Sequence, residues 1–129
     1  MPSETVSVVF SFRNEEDNLP ELIRRLQAMS AGRAEAFEFI FVNDVSDDRS
    51  RDILCEARAA DPRVTFLTMA RRSGPAECVL AGMAASSGDA VVYMDSDLQD
   101  PPELIPLLIE RWREGFEVVH TRRSARLGE

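Results

Sequence analysis

Residues 91–103 read Val-Val-Tyr-Met-Asp-Ser-Asp-Leu-Gln-Asp-Pro-Pro-Glu. An apolar, β-rich run ends in Asp95 and Asp97, and a Pro-Pro pair then opens a helix. In an extended chain, residues i and i+2 share a face, so Asp95, Asp97 and Gln99 are predicted to converge on one point. Carboxylate and amide oxygens in that arrangement suit a hard divalent cation, Mg2+ or Mn2+, and such a cation usually holds a diphosphate. The plainer reading is an acidic turn that caps the next helix. The buried strand before the acids and the Leu-Gln-Asp-Pro-Pro after them favour the cation. Asp100 is the better N-cap candidate.

Outward from this stretch the same alternation repeats. Strands are predicted at 6–12, 37–42, 64–69, 90–94 and 116–120, each apolar and bounded by turn residues. Between them Leu19, Leu22, Ile23 and Leu26 recur at helical spacing, with Asn18 as N-cap, Pro20 in the first turn and Gly32 as the stop. Further helices are predicted over 49–60, from Gly74-Pro75 to about 86, and from Pro101-Pro102 to about 112. Five strands alternating with four helices imply an α/β fold with a mostly parallel sheet, helix-covered. Such sheets bind ligands at the carboxyl ends of their strands. The polar clusters fall there: Asn14 and Glu15, then Asn43 and Asp44, then Arg71 and Arg72, then Asp95 and Asp97.

Each cluster has two readings. Asp44 can accept an N–H from a nucleobase; alternatively Asn43-Asp44-Val45-Ser46 is an Asx turn with Ser46 capping the next helix. Glu15 and Arg13 can reach one ligand, whereas Glu16, Asp17, Asp47 and Asp48 read as first-turn acids matched to helix dipoles. Arg71-Arg72-Ser73-Gly74 offers guanidinium and backbone N–H groups to phosphate, or is a surface turn. His120 reads as a packed or surface residue.

The chain of 129 residues has the length of one domain, with 23 acidic against 15 basic residues and a net charge of −8. That balance disfavours a nucleic-acid partner. Every basic residue is Arg, which removes Schiff-base and P-loop lysine chemistry. Cys55 and Cys78 read as buried free thiols on helix faces, consistent with a reducing cytoplasm. No signal peptide and no run of membrane-spanning length is seen.

These motifs resemble the N-terminal half of a family-2, inverting GT-A glycosyltransferase, and within it the polyprenyl-phosphate (dolichol-phosphate-mannose-synthase-like) subgroup. The resemblance covers about residues 5–126. Ser11-Phe12-Arg13-Asn14-Glu15 stands for Pro-x-Tyr-Asn-Glu, and Asn43-Asp44-Val45-Ser46 for Asp-Asp-Gly-Ser. Arg71-Arg72-Ser73-Gly74 with Leu80-Ala81-Gly82 stands for Arg-Asn-x-Gly with Leu-Ala-Gly. Met94 to Glu103 departs from the family's pattern only at Ser96. Residues 117–123 look like Asp-Val-Val-x-Gly-x-Arg.

The resemblance implies a Rossmann-like GT-A fold that binds a UDP- or GDP-linked sugar. It implies metal ligation by Asp95, Asp97 and Gln99, with Asp95 and Asp97 acting in catalysis through the metal. It implies nucleotide-sugar contacts at Ser11, Arg13, Glu15, Asp44, Ser96 and Arg123. The acceptor would be a lipid phosphate. Family members continue beyond this length, so residues 1–129 are expected to be one truncated, donor-binding domain with little or no transfer activity alone. Self-association is expected from exposed apolar surface and sheet edge. The chain itself is expected in the cytoplasm, and its parent at the cytoplasmic membrane face. Alternatives are a non-catalytic nucleotide- or partner-binding domain on the same fold, or a sugar-nucleotide nucleotidyltransferase. The latter wants a Gly-rich loop after the first strand, and residues 10–15 contain no glycine. A receiver-type signalling domain would need a lysine.

Overall fold

Strand β1, Thr5–Phe12, carries apolar side chains on both faces, so it can sit only inside a sheet covered on both sides. The computed structural model describes residues 4–120 and places β1 there. Around it lie β2 (Ala36–Asn43), β3 (Val64–Thr68) and β4 (Ala90–Asp95), in the order β3-β2-β1-β4, with every pair parallel. The helices are α1 (Leu19–Ser30), α2 (Ser50–Ala60), α3 (Pro75–Ala85) and α4 (Ile105–Arg113). A short 3-10 turn, Pro102–Leu104, precedes α4.

Register decides which residues meet on each face. Val6, Val8 and Phe10 pair with Phe37, Phe39 and Phe41. These six side chains pack under Leu19, Leu22 and Leu26 of α1, Leu54 of α2, and Ile105 and Ile109 of α4. The rings of Phe10 and Phe41 stack at 4.9 Å between centroids. Complete burial of each such ring contributes about 2–3 kcal/mol. On the opposite face Val9, Ile40 and Val42 meet Cys78 and Ala81 of α3. That face is only partly covered, because α3 lies over β1 and β2. Val91 and Tyr93 of β4 therefore remain 39% and 38% exposed.

At the amino end of the sheet, Glu38 accepts hydrogen bonds from Ser7 Oγ, from Ser87 N at 2.6 Å and from Ser87 Oγ at 3.0 Å. Burial alone would raise its carboxyl, but these donors hold it below the usual carboxylate range. The turn into β4 is thereby tied to β1 and β2.

Several expectations change. Residues 116–120 form no strand, and Phe116 and Val118 are 56% and 70% exposed, so the described sheet has four strands. Cys78 is buried but Cys55 is exposed, because it lies on the outer face of α2. Asn18 makes no capping bond; its side chain donates to Glu15 Oε2 at 2.8 Å, and the Glu15 carbonyl accepts from Asn18 N and Leu19 N. Pro101, not Asp100, holds the N-cap position before the 3-10 turn, which delays α4 to Ile105. Among the described residues no helix is long and apolar enough to cross a membrane.

Gly82 sets the distance between α3 and the sheet. A Cβ built there would lie 2.4 Å from Val9 Cγ1 and 3.1 Å from Val42 Cγ2. Both neighbours are buried and β-branched, so neither can swing aside. Gly82→Ala is expected to lower stability by about 1–2 kcal/mol in urea unfolding, because overpacking outweighs the gain in helix propensity.

Candidate functional site

At the carboxyl edge of the sheet, the loops after β1 and β4 separate, and α3 begins on one side of the gap. The result is a cleft of about 390 Å³. Ser11, Arg13, Glu15, Asp44, Asp95, Ser96 and Asp97 all line it, as do Arg72, Cys78 and Tyr93. Residues separated by more than 80 positions in sequence meet here because Ser11 of β1 pairs with Asp95 of β4.

The first two loops are fastened to each other by reciprocal bonds. Asn14 N donates to Ser46 Oγ, and Asp47 N donates to Asn14 Oδ1, both at 2.9 Å. Glu15 N donates to Ser50 Oγ at 2.9 Å, Glu16 N to Asp48 Oδ2 at 3.1 Å, and Arg49 N to Glu16 Oε2 at 3.1 Å. Glu16 and Asp48 are thus more than solvated first-turn acids. Burial would raise the Asp48 carboxyl, but Ser50 and the Glu16 N–H bring it below its ordinary value. The Asx turn is present, with Ser46 N donating to Asn43 Oδ1 at 2.9 Å. Ser46 Oγ, however, serves the neighbouring loop, and Asp48 takes the N–H of Ser50 at the start of α2.

Asp44 is 7% exposed. Its Oδ1 accepts from Ser73 N at 2.8 Å and its Oδ2 from Gly74 N at 3.0 Å, so it closes the N-terminus of α3. Desolvation would raise its carboxyl; the two N–H donors, the Arg72 charge and the Cys78 thiol together lower it. Burial, and then the same carboxylate, push the Cys78 thiol up, so that thiol stays protonated at neutral pH.

Arg13 Nε is buried and has no hydrogen-bond partner among the described residues, and the side chain reaches only Asp47, at 3.4 Å. An orphaned guanidinium donor in a cleft wall is a place for an acceptor. Ser96 is buried and its Oγ donates to the Ser11 carbonyl at 3.4 Å. Gln99 does not line the cleft. The i, i+2 face-sharing of an extended chain does not reach Gln99, because β4 stops at Asp95 and Leu98 turns the backbone with φ 66°. Gln99 instead donates its backbone N–H to Asp97 Oδ1 at 3.1 Å. Arg123 lies outside the described residues. Tyr93 and Cys78 line the cleft although the sequence marked neither as a site residue; for Tyr93 the i, i+2 spacing shows the shared face with Asp95 but not the partner Ser11 across the strand pair.

The donor set fits a hard cation of a particular kind. Among the described residues no group of three or more His, Cys, Asp or Glu side chains could form a protein cage for a metal. Two carboxylates, Asp95 and Asp97, share the cleft. Mg2+-type ions are typically held by one or two carboxylates, with ligand phosphates and water completing the shell.

The family model described as Glycosyl transferase family 2 matches residues 7–129. A Bacillus subtilis (strain 168) protein named "Uncharacterized glycosyltransferase YkcC" is 45% identical over 123 residues, 95% of this chain and 38% of the relative. A Pseudomonas aeruginosa (strain LESB58) protein named "Undecaprenyl-phosphate 4-deoxy-4-formamido-L-arabinose transferase" is 43% identical over 126 residues, 97% of this chain and 37% of the relative. The chain thus spans less than two-fifths of the length of these relatives. Among solved structures, residues 1–349 of S. aureus TarS superpose with a TM-score of 0.70 at 22% identity, over 85% of this chain and 32% of that one. The mannosyltransferase PcManGT from Pyrobaculum calidifontis, solved with GDP-Man and Mn2+, gives 0.65 at 20%, over 74% and 28%. At those identities the likeness establishes the fold alone: Rossmann-like GT-A.

Val45 has φ 55°, a left-handed conformation that costs a β-branched residue about 1–2 kcal/mol. Val45→Gly is expected to stabilise the chain by about 1 kcal/mol net of glycine's larger unfolded-state entropy, read as a raised urea midpoint. Asp44→Asn should lose about 1.5–3 kcal/mol at pH 7, because one backbone donor then faces an amide. A lowered carboxyl stabilises above its unfolded value and ceases to do so as pH falls through the folded one. The gap between wild type and Asp44→Asn in urea titrations should therefore narrow below about pH 4.

Proposed function

Because the chain belongs to glycosyl transferase family 2, we propose that its cleft is the donor site of a metal-dependent, inverting glycosyltransferase. The ligand is a UDP- or GDP-linked sugar. In the whole protein the sugar passes to a polyprenyl-phosphate acceptor at the cytoplasmic face of a membrane. The observation that carries this reading is the meeting of Ser11, Arg13, Glu15, Asp44, Asp95, Ser96 and Asp97 in one cleft, at the sheet edge where the strand order reverses.

The charge of that cleft supports a cation. Among the described residues four carboxylates line it, Glu15, Asp44, Asp95 and Asp97, against two guanidinium groups, Arg13 and Arg72. A diphosphate entering alone would meet net like charge. Asp95 and Asp97 would hold Mg2+ or Mn2+, which when bound neutralises the diphosphate and stabilises the departing nucleotide. The remaining work falls to the chain. The planar guanidinium of Arg13 suits stacking on a base, and its orphaned Nε suits a carbonyl or phosphate oxygen. Asp44 has a second lone pair on each oxygen for a base N–H. Arg72 faces the phosphates from the α3 side. Arg123 is proposed as a further diphosphate contact.

The acceptor assignment rests on the relatives named as undecaprenyl-phosphate transferases. An acceptor phosphate is anionic at neutral pH, so its oxygen attacks the sugar C1 without a dedicated base as the nucleoside diphosphate leaves from the opposite side. Exposed Leu80, Met83 and Val91 would favour self-association of the isolated residues.

Calorimetric titration with UDP and with GDP, each with and without Mn2+, tests the reading. One nucleotide should bind in a metal-dependent way, and Asp97→Ala should weaken that binding at least about tenfold. Equal binding with and without metal, or an unaffected Asp97→Ala chain, would overturn it.

A further inference from the structure

We propose that Tyr93 is a positioning residue, holding the Asp95 carboxylate and the Ser11 hydroxyl in the orientations the donor site needs; this rests on the donor-site reading above. Ser11, Tyr93 and Asp95 project from the same face of the sheet, the one that α3 only partly covers. Tyr93 Oη lies 3.0 Å from Ser11 Oγ and 3.3 Å from Asp95 Oδ1. All three residues line the cleft. The phenol thus bridges the ends of β1 and β4 on the cleft's own wall.

The proton count gives the bridge a direction. A carboxylate has only lone pairs, and a phenol has one proton. Tyr93 therefore donates to Asp95, and the Ser11 hydroxyl must donate to the Tyr93 oxygen. With its proton spent on Tyr93, Ser11 Oγ can offer the cleft only lone pairs. It is then an acceptor for a ligand hydroxyl or N–H, never a donor to phosphate. Asp95 gains a second constraint: one oxygen is turned along its strand toward Tyr93, which fixes the carboxylate plane. Partners that orient a metal-ligating carboxylate change metal affinity without touching the metal.

Tyr93 is the single tyrosine of the chain, so its hydrogen bonding can be observed alone. The tyrosine Fermi doublet in the Raman spectrum reports whether the phenol donates to a strong acceptor. It should show a strong donor in the wild-type chain and shift in Asp95→Asn. Tyr93→Phe should weaken Mn2+-dependent binding of the preferred nucleotide, UDP or GDP, about tenfold. Its metal-independent binding and its urea midpoint should stay close to wild type. Ser11→Ala should keep the doublet's donor signature. A doublet insensitive to Asp95→Asn overturns the bridge. Unchanged metal-dependent binding in Tyr93→Phe, or an equal loss with and without Mn2+, overturns the positioning role. A wild-type chain with no metal-dependent nucleotide binding, whatever its doublet, overturns the donor-site reading and the positioning role with it.

Discussion

The arrangement of the cleft depends on β1 having its two neighbours reached by connections that run in opposite directions. From β1 the chain steps to β2 and then β3 on one side, and from β3 it returns across the sheet to β4 on the other. Parallel crossovers are right-handed. Two steps one way put α1 and α2 on one face, and the return step puts α3 on the opposite face. The loops leaving β1 and β4 then diverge, and the gap between them is the cleft. Handedness thus decides, before any side chain is considered, that Ser11 to Glu15 will face Asp95 to Asp97.

A gap of this kind exposes backbone ends, and the chain satisfies them by exchange between loops. Asn14, Glu16, Ser46, Asp48 and Ser50 each accept a main-chain N–H with a side-chain oxygen, mostly across the two loops. Buried N–H groups must be paired, and short polar side chains provide this where no strand continues. The consequence for function is rigidity: Arg13 and Glu15 are carried on a loop whose backbone is pinned on both sides. The left-handed Val45, with φ 55°, lies inside the Asx turn that Ser46 N and Asn43 Oδ1 close.

The elements most legible in the sequence were those governed by a strong period or a covalent constraint. The strands over β1 to β4 follow from uninterrupted β-branched and aromatic runs, and α1 from Leu19, Leu22, Ile23 and Leu26. The segment 116–120 has the same local signal but gains no partner strand among the described residues, and β-propensity without pairing does not make a strand. For the site, a shared sheet edge was enough to gather Ser11, Arg13, Asp44, Asp95 and Asp97. Gln99 was misplaced because period 2 was extended past the end of β4. The duties of Glu16, Asp48 and Ser46 were illegible, because hydrogen bonds between loops depend on how two turns approach each other. Tyr93 was overlooked for a similar reason: its partner Ser11 is across the strand pair, where sequence offers no spacing to count.

The carboxylates of the cleft differ in how far the fold has already used them, and that difference orients a ligand. Asp44 faces the start of α3, where two backbone donors and the helix dipole balance much of its charge. Asp95 and Asp97 stand at the opposite wall, where Asp95 accepts a hydrogen bond from Tyr93 and Asp97 one from the Gln99 N–H. No guanidinium lies among the residues that continue β4 through Asp97. With the Asp44 charge balanced by backbone donors, the β4 wall is the place in the cleft where two carboxylates stand together, and on the proposed reading a cation is held there and not at Asp44. On the proposed reading, the diphosphate must follow the cation, so its base is left toward Asp44 and Arg13. A nucleotide placed the other way round would bring phosphate against the Asp44 carboxylate with no metal between them. Ligand direction is then a property of where the fold has spent a carboxylate on a helix start, at Asp44, and where it sets two carboxylates side by side, at Asp95 and Asp97.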